Sequence, residues 1–302
     1  VPAAIPEALT APLASIEDAL ERGLASLSLA KSLDEAIRYA LLNGGKRVRP
    51  LLAWSACEAL GVPGAASLPA GTAVELVHAF SLVHDDLPAM DDDELRRGRP
   101  TLHVYAGEAM AILAGDAMLS AAFDVLVRGA PTSELAARLI RELAGGAKGM
   151  ICGQVYDTLG FSDERPDAER VEAIHRQKTG ALIRAGCRMG AWCAIAERRG
   201  GSLPESDPPE LGAITTYAEG VGLMFQIVDD LLDVEQTTEL AGKRTGKDAD
   251  ADKLTWPGVF GVEESRKMVE RLRNEAERAV VPLGERAAPL VSWASVLACR
   301  TA

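Results

Sequence analysis

Apolar positions recur along the chain at intervals of three and four residues, in segments far longer than strands need. Ala73, Leu76, Val77, Phe80 and Val83 form one such stripe, in a helix predicted over about 68–86. Leu211, Ile214, Ala218, Val221, Phe225, Val228 and Leu232 form another, in a long helix predicted from about residue 210. Helices are also predicted over about 11–29, 32–42 and 50–60, with Ser32 and Asp34 placed to cap the second. A helical hairpin follows at about 102–127 and 133–143, after which Gly145, Gly146 and Gly149 loosen the chain. Gly180 marks a kink in a helix that begins near Asp167, and two amphipathic helices with charged outer faces close the chain. No alternating strand pattern flanked by turns and no short repeat is found. The pattern reads as all-α, with residues 1–302 in one domain.

Composition narrows the picture. A hydrophobic content of 48% over 302 residues supports a full-sized core. A net charge of -12 argues against nucleic acid or an anionic membrane as a main partner, although local clusters and metals still allow a small anion. Five cysteines with no Cys-x-x-Cys pair fit a reducing cytoplasm, and the opening residues show no signal peptide. No apolar run is long enough to span a bilayer, so no membrane span is expected.

Candidate chemistry gathers at residues 82–98, where Asp85, Asp86, Asp91, Asp92, Asp93 and Glu94 precede Arg96 and Arg97. Carboxylates about 4 Å apart repel by roughly 4 kcal/mol at a protein-surface dielectric, so the cluster must be solvated or neutralised. Pro88 ends the helix, leaving Asp85 and Asp86 in its last turn, where the helix dipole disfavours negative charge. Hard divalent cations are the natural complement. The long second helix carries a polar stripe of Gly222, Gln226, Asp229 and Asp233, which with Asp230 makes a second aspartate cluster. Such a row is expensive to bury without ligands. Basic residues accompany glycines at Gly44-Gly45-Lys46-Arg47-Val48-Arg49-Pro50, at Lys178-Thr179-Gly180, and around Gly242-Lys243 with Lys253 downstream. His78 projects from the same side of its helix as Asp85, as a structural residue or as part of the site; Lys178 reads equally as a surface lysine or a ligand. Two aspartate clusters with many cations point to a metal-bound phosphate compound. The absence of Walker, kinase and dinucleotide motifs argues against a nucleotide.

In the order and separation of these motifs, together with Gly153, Gln154 and Asp157, the chain resembles the trans-isoprenyl diphosphate synthases, the polyprenyl synthetase family. The stretch from His84 to Asp93 is most similar to the family's bacterial farnesyl diphosphate synthases. The resemblance implies an antiparallel helix bundle around a central cavity, usually in a homodimer. It implies that Asp85, Asp86 and Asp91 with Asp229, Asp230 and Asp233 form the metal set, for three Mg2+ ions per active site with substrate bound. Arg96, Lys178 and Lys243 would bind the allylic diphosphate, whether dimethylallyl or geranyl. Lys46, Arg49, His78 and Arg97, with the Gly45 backbone, would hold isopentenyl diphosphate. Thr179 and Gln226 would turn oxygen dipoles to an allylic cation, with Phe225 and Lys253 also at the substrates. Phe80, or Ser81 nearer the face of Asp85, would limit chain length, so that farnesyl diphosphate is the expected product and geranylgeranyl diphosphate the alternative. A terpene cyclase is disfavoured by the aspartates of the second motif, and a non-catalytic subunit by the presence of both motifs. Asp252 before Lys253, and a C-terminus whose only basic residue is Arg300, depart from the family pattern.

Overall fold

A computed structural model describes residues 5–161, 164–241 and 254–299, with no side chains described over 235–241. The helices are α1 (Glu7–Thr10), α2 (Leu13–Ala25), α3 (Lys31–Leu41), α4 (Val48–Ala59), α5 (Leu68–Asp85), α6 (Leu102–Ala106) and α7 (Glu108–Gly129). They continue with α8 (Ser133–Leu159), α9 (Asp167–Ile174), α10 (Ala181–Arg198), α11 (Pro209–Ala241), α12 (Trp256–Phe260), α13 (Val262–Val280) and α14 (Ala288–Ala298). The fold is an all-α bundle in one domain. Its middle is made by α5 and α10: α5 packs on α4 and α7, α10 on α4, α8 and α11, and the two on each other. Both are apolar on most of their circumference, as interior helices must be, and α10 is buried at nearly every position from Ala181 to Ala196.

Several local expectations are corrected. The glycines after Leu143 do not loosen the chain, because α8 runs unbroken to Leu159. They are notches: a Cβ on Gly146 would lie 2.6 Å from the Ala185 Cβ, one on Gly149 2.7 Å from the Ala181 Cβ, and one on Gly153 2.1 Å from the Lys178 backbone nitrogen. At the position of the expected kink, α9 and α10 are joined by one π-helical segment, His175–Gly180. Gly180 has ordinary helical angles, and its role is contact, since a Cβ on Gly222 would sit 2.7 Å from its Cα. Ser32 and Asp34 do not cap α3, whose N-cap is Ala30; Asp34 instead accepts from Arg38 Nε at 2.7 Å. A two-stranded hairpin, β1 (Leu95–Arg96) with β2 (Arg99–Pro100), interrupts the helical pattern. Arg97 and Gly98 at its tip both have positive φ, 56° and 75°, as a tight hairpin turn requires.

The expected lack of membrane-length segments is also corrected. Gly64–Asp85, Glu108–Gly129 and Pro209–Val234 are long and apolar enough to cross a membrane by length and composition. Within the bundle 67%, 44% and 61% of an apolar 18-residue window in each is buried, and the window in α7 is the least covered of the three.

Candidate active site

At the end of α5 the chain folds back through Pro88, and the Asp91 N–H donates to the Asp85 carbonyl at 2.9 Å. This bond returns the third conspicuous aspartate to the level of the first. Asp85 is only partly exposed, and its carboxyl is pushed up to about 6, chiefly by burial. Lys178 and Arg96 pull it down while the charges of Asp91 and Asp86 push it up. Asp86 is buried differently. Arg96 Nε lies 3.0 and 2.9 Å from its two carboxylate oxygens and Nη2 lies 2.6 Å from Oδ1. The hairpin accounts for this geometry, since β1 carries Arg96 to Asp86 while the turn after it sends the Arg97 guanidinium to the Gly44 carbonyl. Arg96 and Asp86, expected at the allylic diphosphate and the metal, are therefore partners of each other in this structure.

Across α5 lies a basic cluster. Gly44 and Gly45 adopt φ of 72° and 142°, and Arg47, the residue before α4, is left-handed at φ 46°. A Cβ on Gly45 would stand 2.7 Å from Arg97 Nη1, so glycine here allows the guanidinium to lie against the backbone. The Arg49 Nε is buried without a hydrogen-bond partner. Burial also lowers the Arg49 pKa, against the pull of Glu75 and Asp229. His78 is held well below the usual imidazole range by burial, and then by the positive charges of Arg49, Arg97, Arg96 and Arg47. It is thus a neutral donor. A cleft opens at this place, lined by Arg47, Glu75, His78, Asp86, Arg96 and Arg97 among others. Phe80 and Ser81 do not line it. The Phe80 ring stands edge-on to His84 at 5.0 Å, and the Ser81 hydroxyl donates to the His78 carbonyl.

On the other side stand the π segment and α11. Lys178 is ion-paired with Asp157 of α8. The Thr179 hydroxyl donates to Gln226 Oε1 at 2.7 Å, and Gln226 Nε2 donates to Asp230 Oδ1 at 3.3 Å. Because a carboxylate only accepts, Asp230 fixes which end of the Gln226 amide faces Thr179. The same carboxylate accepts from the Trp256 N–H at 2.8 Å and lies 3.2 Å from His175 Nε2. Asp230, expected in the metal set, is thus an internal anchor. Asp229 is half-buried and Asp233 exposed on the same helix, beside half-buried Phe225. Lys243 and Lys253 lie outside the described residues.

Among the described residues no three carboxylates, imidazoles or thiols form a ready metal-binding group. The arrangement nonetheless fits Mg2+, which keeps several waters and is usually bound through one or two carboxylates plus substrate phosphates. Asp85 is the deciding residue, since its burial beside Asp91 and Asp86 disfavours the anion until a cation arrives.

Residues 30–281 match the polyprenyl synthetase family. The chain belongs to that family. This polyprenyl synthetase is 46% identical over 277 residues to geranylgeranyl pyrophosphate synthase 11, chloroplastic, of Arabidopsis thaliana, a match covering 89% of this chain and 75% of the relative. Its fold is similar to the crystal structure of a geranyltransferase from Legionella pneumophila, with a TM-score of 0.82, 30% identity, and coverage of 98% and 97% of the two chains. It is also similar to a putative farnesyl-diphosphate synthase from Marinomonas sp. MED121, with a TM-score of 0.78, 34% identity, and coverage of 97% and 98%. As a member of the family it is a prenyltransferase of isoprenoid biosynthesis.

Two features of this polyprenyl synthetase's site were not singled out from its sequence. Glu75 is a buried carboxylate one helical turn before His78, and its presence on an otherwise apolar helix was the available signal. His175, buried against Asp230 and stacked on Trp256 at 5.8 Å, has no counterpart signal, because its partners are 55 and 81 residues away in the sequence.

Proposed function

We propose that the protein condenses isopentenyl diphosphate with an allylic diphosphate, dimethylallyl or geranyl, in a Mg2+-dependent reaction that yields farnesyl diphosphate and pyrophosphate. One observation carries the reading. On α5 and the elements packed against it, a buried guanidinium nitrogen without a partner and a crowd of arginines call for an anion, while Asp85 close by calls for a cation. A metal-bound diphosphate beside a second, metal-free diphosphate satisfies both.

Lys46, Arg49 and Arg97, with the neutral His78 as donor, hold the isopentenyl diphosphate at its oxygens. Asp85, Asp91 and Asp229 are the residues that would hold magnesium; Asp86 and Asp230, already engaged, orient Arg96 and Gln226. Bound magnesium supplies charge to the departing pyrophosphate. Arg96 and Lys178 add fixed positive charge at the same oxygens, and Lys178 exchanges Asp157 for phosphate when it does so. As the allylic carbon loses its leaving group, Thr179 and Gln226 present oxygen dipoles to the positive charge. The double bond of the second substrate attacks that carbon, and the resulting cation loses a proton to the pyrophosphate oxygen beside it.

Farnesyl diphosphate is favoured by the aromatic Phe80, buried five residues before Asp85. Geranylgeranyl diphosphate is the second reading, favoured by the 46% identity to a relative of that printed activity. The working unit is a homodimer joined through α7 and α8. Ile112, Leu113 and Val127 are 44%, 57% and 57% exposed on α7, and Leu159 is 80% exposed on α8, apolar surface that a second copy covers. All five cysteines are free thiols, which supports a cytoplasmic location. Purified protein with Mg2+, isopentenyl diphosphate and either allylic partner tests the proposal: pyrophosphate is released when all are present, and its absence with both partners refutes the reading.

A further inference from the structure

Arg47 sits between Lys46 and Arg49, the two residues assigned above to isopentenyl diphosphate, but its own guanidinium is only 3% exposed and turned into the protein. All three of its nitrogens are occupied. Nε donates to Glu17 Oε1 at 2.7 Å, and Nη2 to Glu17 Oε2 at 3.2 Å and to the Leu41 carbonyl at 2.8 Å. Nη1 donates to Glu75 Oε1 at 2.8 Å. One side chain therefore ties α2, the end of α3 and the middle of α5 to the residue that starts α4.

The backbone at this residue is left-handed, φ 46° and ψ 36°, a conformation that a Cβ disfavours and that glycine or asparagine would take more easily. The chain needs it, because the turn through Gly44 and Gly45 must reverse direction into α4, whose first long bond runs from the Leu51 N–H to the Arg47 carbonyl at 3.0 Å. A strained residue persists only where its surroundings over-determine it. Here the surroundings are two carboxylates and a carbonyl held by three different helices. Glu75 has a second effect. It is 4% exposed, and its charge also acts on Arg49 and Arg97, so the carboxylate that clamps Arg47 offsets the repulsion among the guanidiniums around the diphosphate.

We infer that Arg47, clamped by Glu17 and Glu75, is a positioning residue for the isopentenyl diphosphate subsite: it holds the strained turn that carries Lys46 and leads into α4, whose first turn carries Arg49, without touching substrate. This rests on the prenyltransferase reading above. The aspartate motifs and Lys178 stand on other segments, so the allylic diphosphate is not held by this turn.

The test measures, for Arg47→Lys, Glu75→Gln and Glu17→Gln in the full chain, the Kd for isopentenyl diphosphate by calorimetry, together with the separate KM values of the two substrates and the thermal midpoint. Arg47→Lys keeps the charge but loses the fork, and Glu75→Gln keeps the shape but loses the charge. Both should weaken isopentenyl diphosphate at least tenfold in Kd and KM, with the KM of geranyl diphosphate changed less than threefold. Glu17 is 41% exposed, and Glu17→Gln should weaken isopentenyl diphosphate about threefold. If either buried variant fails to fold, Glu17→Gln decides alone. A Kd within twofold of wild type in the folded variants, or equal increases in both KM values, overturns the inference. Because Kd is read without turnover, a wild type that binds the ligand but releases no pyrophosphate refutes the reaction and leaves the positioning test standing.

Discussion

Asp85 and Asp86 are adjacent in sequence and opposite in circumstance: the Asp86 carboxylate is gripped by Arg96 with a shortest contact of 2.6 Å, while the Asp85 carboxyl is held up near 6 by burial and neighbouring negative charge. Replacement should therefore move stability in opposite directions. Asp86→Asn leaves Arg96 poorly paired and should cost about 2 kcal/mol, less than a fully buried pair because Arg96 is 34% exposed. Asp85→Asn should stabilise the metal-free protein by about 2 kcal/mol at pH 7, by removing an anion the fold disfavours. Urea unfolding without Mg2+ reads both signs, and both variants should lose activity at least a hundredfold.

The same shifts set a pH dependence. His78 is neutral in the folded state and protonates in the unfolded chain, so its contribution is present above about pH 6.5 and is lost as pH falls below that value. Asp85 works the other way, since its folded value lies above the ordinary 3.8 and stability declines as pH rises from about 4 to 6. Between pH 4 and 6 the two slopes oppose each other in the wild type. His78→Gln should unmask the Asp85 slope, making the metal-free protein more stable at pH 5 than at pH 7 by urea titration. An unchanged profile would mean that His78 is not held neutral.

Gly153 and Gly145 lie on one helix and should respond oppositely to alanine. Gly153→Ala drives a methyl to 2.1 Å from the Lys178 backbone nitrogen, so the π segment must move, with Lys178 and Thr179 on it. We expect a loss of about 2 kcal/mol and a fall in kcat of more than tenfold. Gly145→Ala meets nothing within 4 Å on an exposed helical position and should stabilise by about 0.5–1 kcal/mol with activity intact. Thermal melts and steady-state rates on the pair check this.

Leu113→Glu places a charge in the proposed subunit interface on α7, where leucine is 57% exposed in the single chain. Light scattering should show a dimer for the wild type and a monomer for the variant. A monomeric wild type would contradict the interface.

Much of this was legible in the sequence for a physical reason. The stripes through Val77, Phe80 and Val83 and through Leu211, Ile214 and Ala218 are one-dimensional records of burial, and all six residues are in the core. The aspartate clusters and the Gly45-Lys46 turn stand out in the sequence as dense charge beside helix ends and glycines, but the role of each residue in them does not. What stayed hidden depends on partners distant in sequence. Gly146 and Gly149 look like helix breakers until α10 is seen lying against them. Asp86 and Asp230 cannot be told from Asp85 and Asp229 by composition, because the difference is made by Arg96, His175 and Trp256. The strain at Arg47 has no sequence signature, since arginine is not a residue expected in a left-handed turn.

Product chain length rests on Phe80. Phe80→Ala removes the aromatic ring buried five residues before Asp85 and should shift the main product from fifteen to twenty carbons or more, read by mass spectrometry after dephosphorylation. Unchanged length would remove Phe80 as the limit.

The most direct measurement is incorporation of labelled isopentenyl diphosphate into geranyl diphosphate by the purified wild-type protein, with pyrophosphate release counted in the same reaction. We expect one pyrophosphate for each isopentenyl unit incorporated, a fifteen-carbon diphosphate as the main product, and no reaction when Mg2+ is chelated. Pyrophosphate released without incorporation of label, or neither event with geranyl or dimethylallyl diphosphate, would contradict a two-diphosphate condensing site.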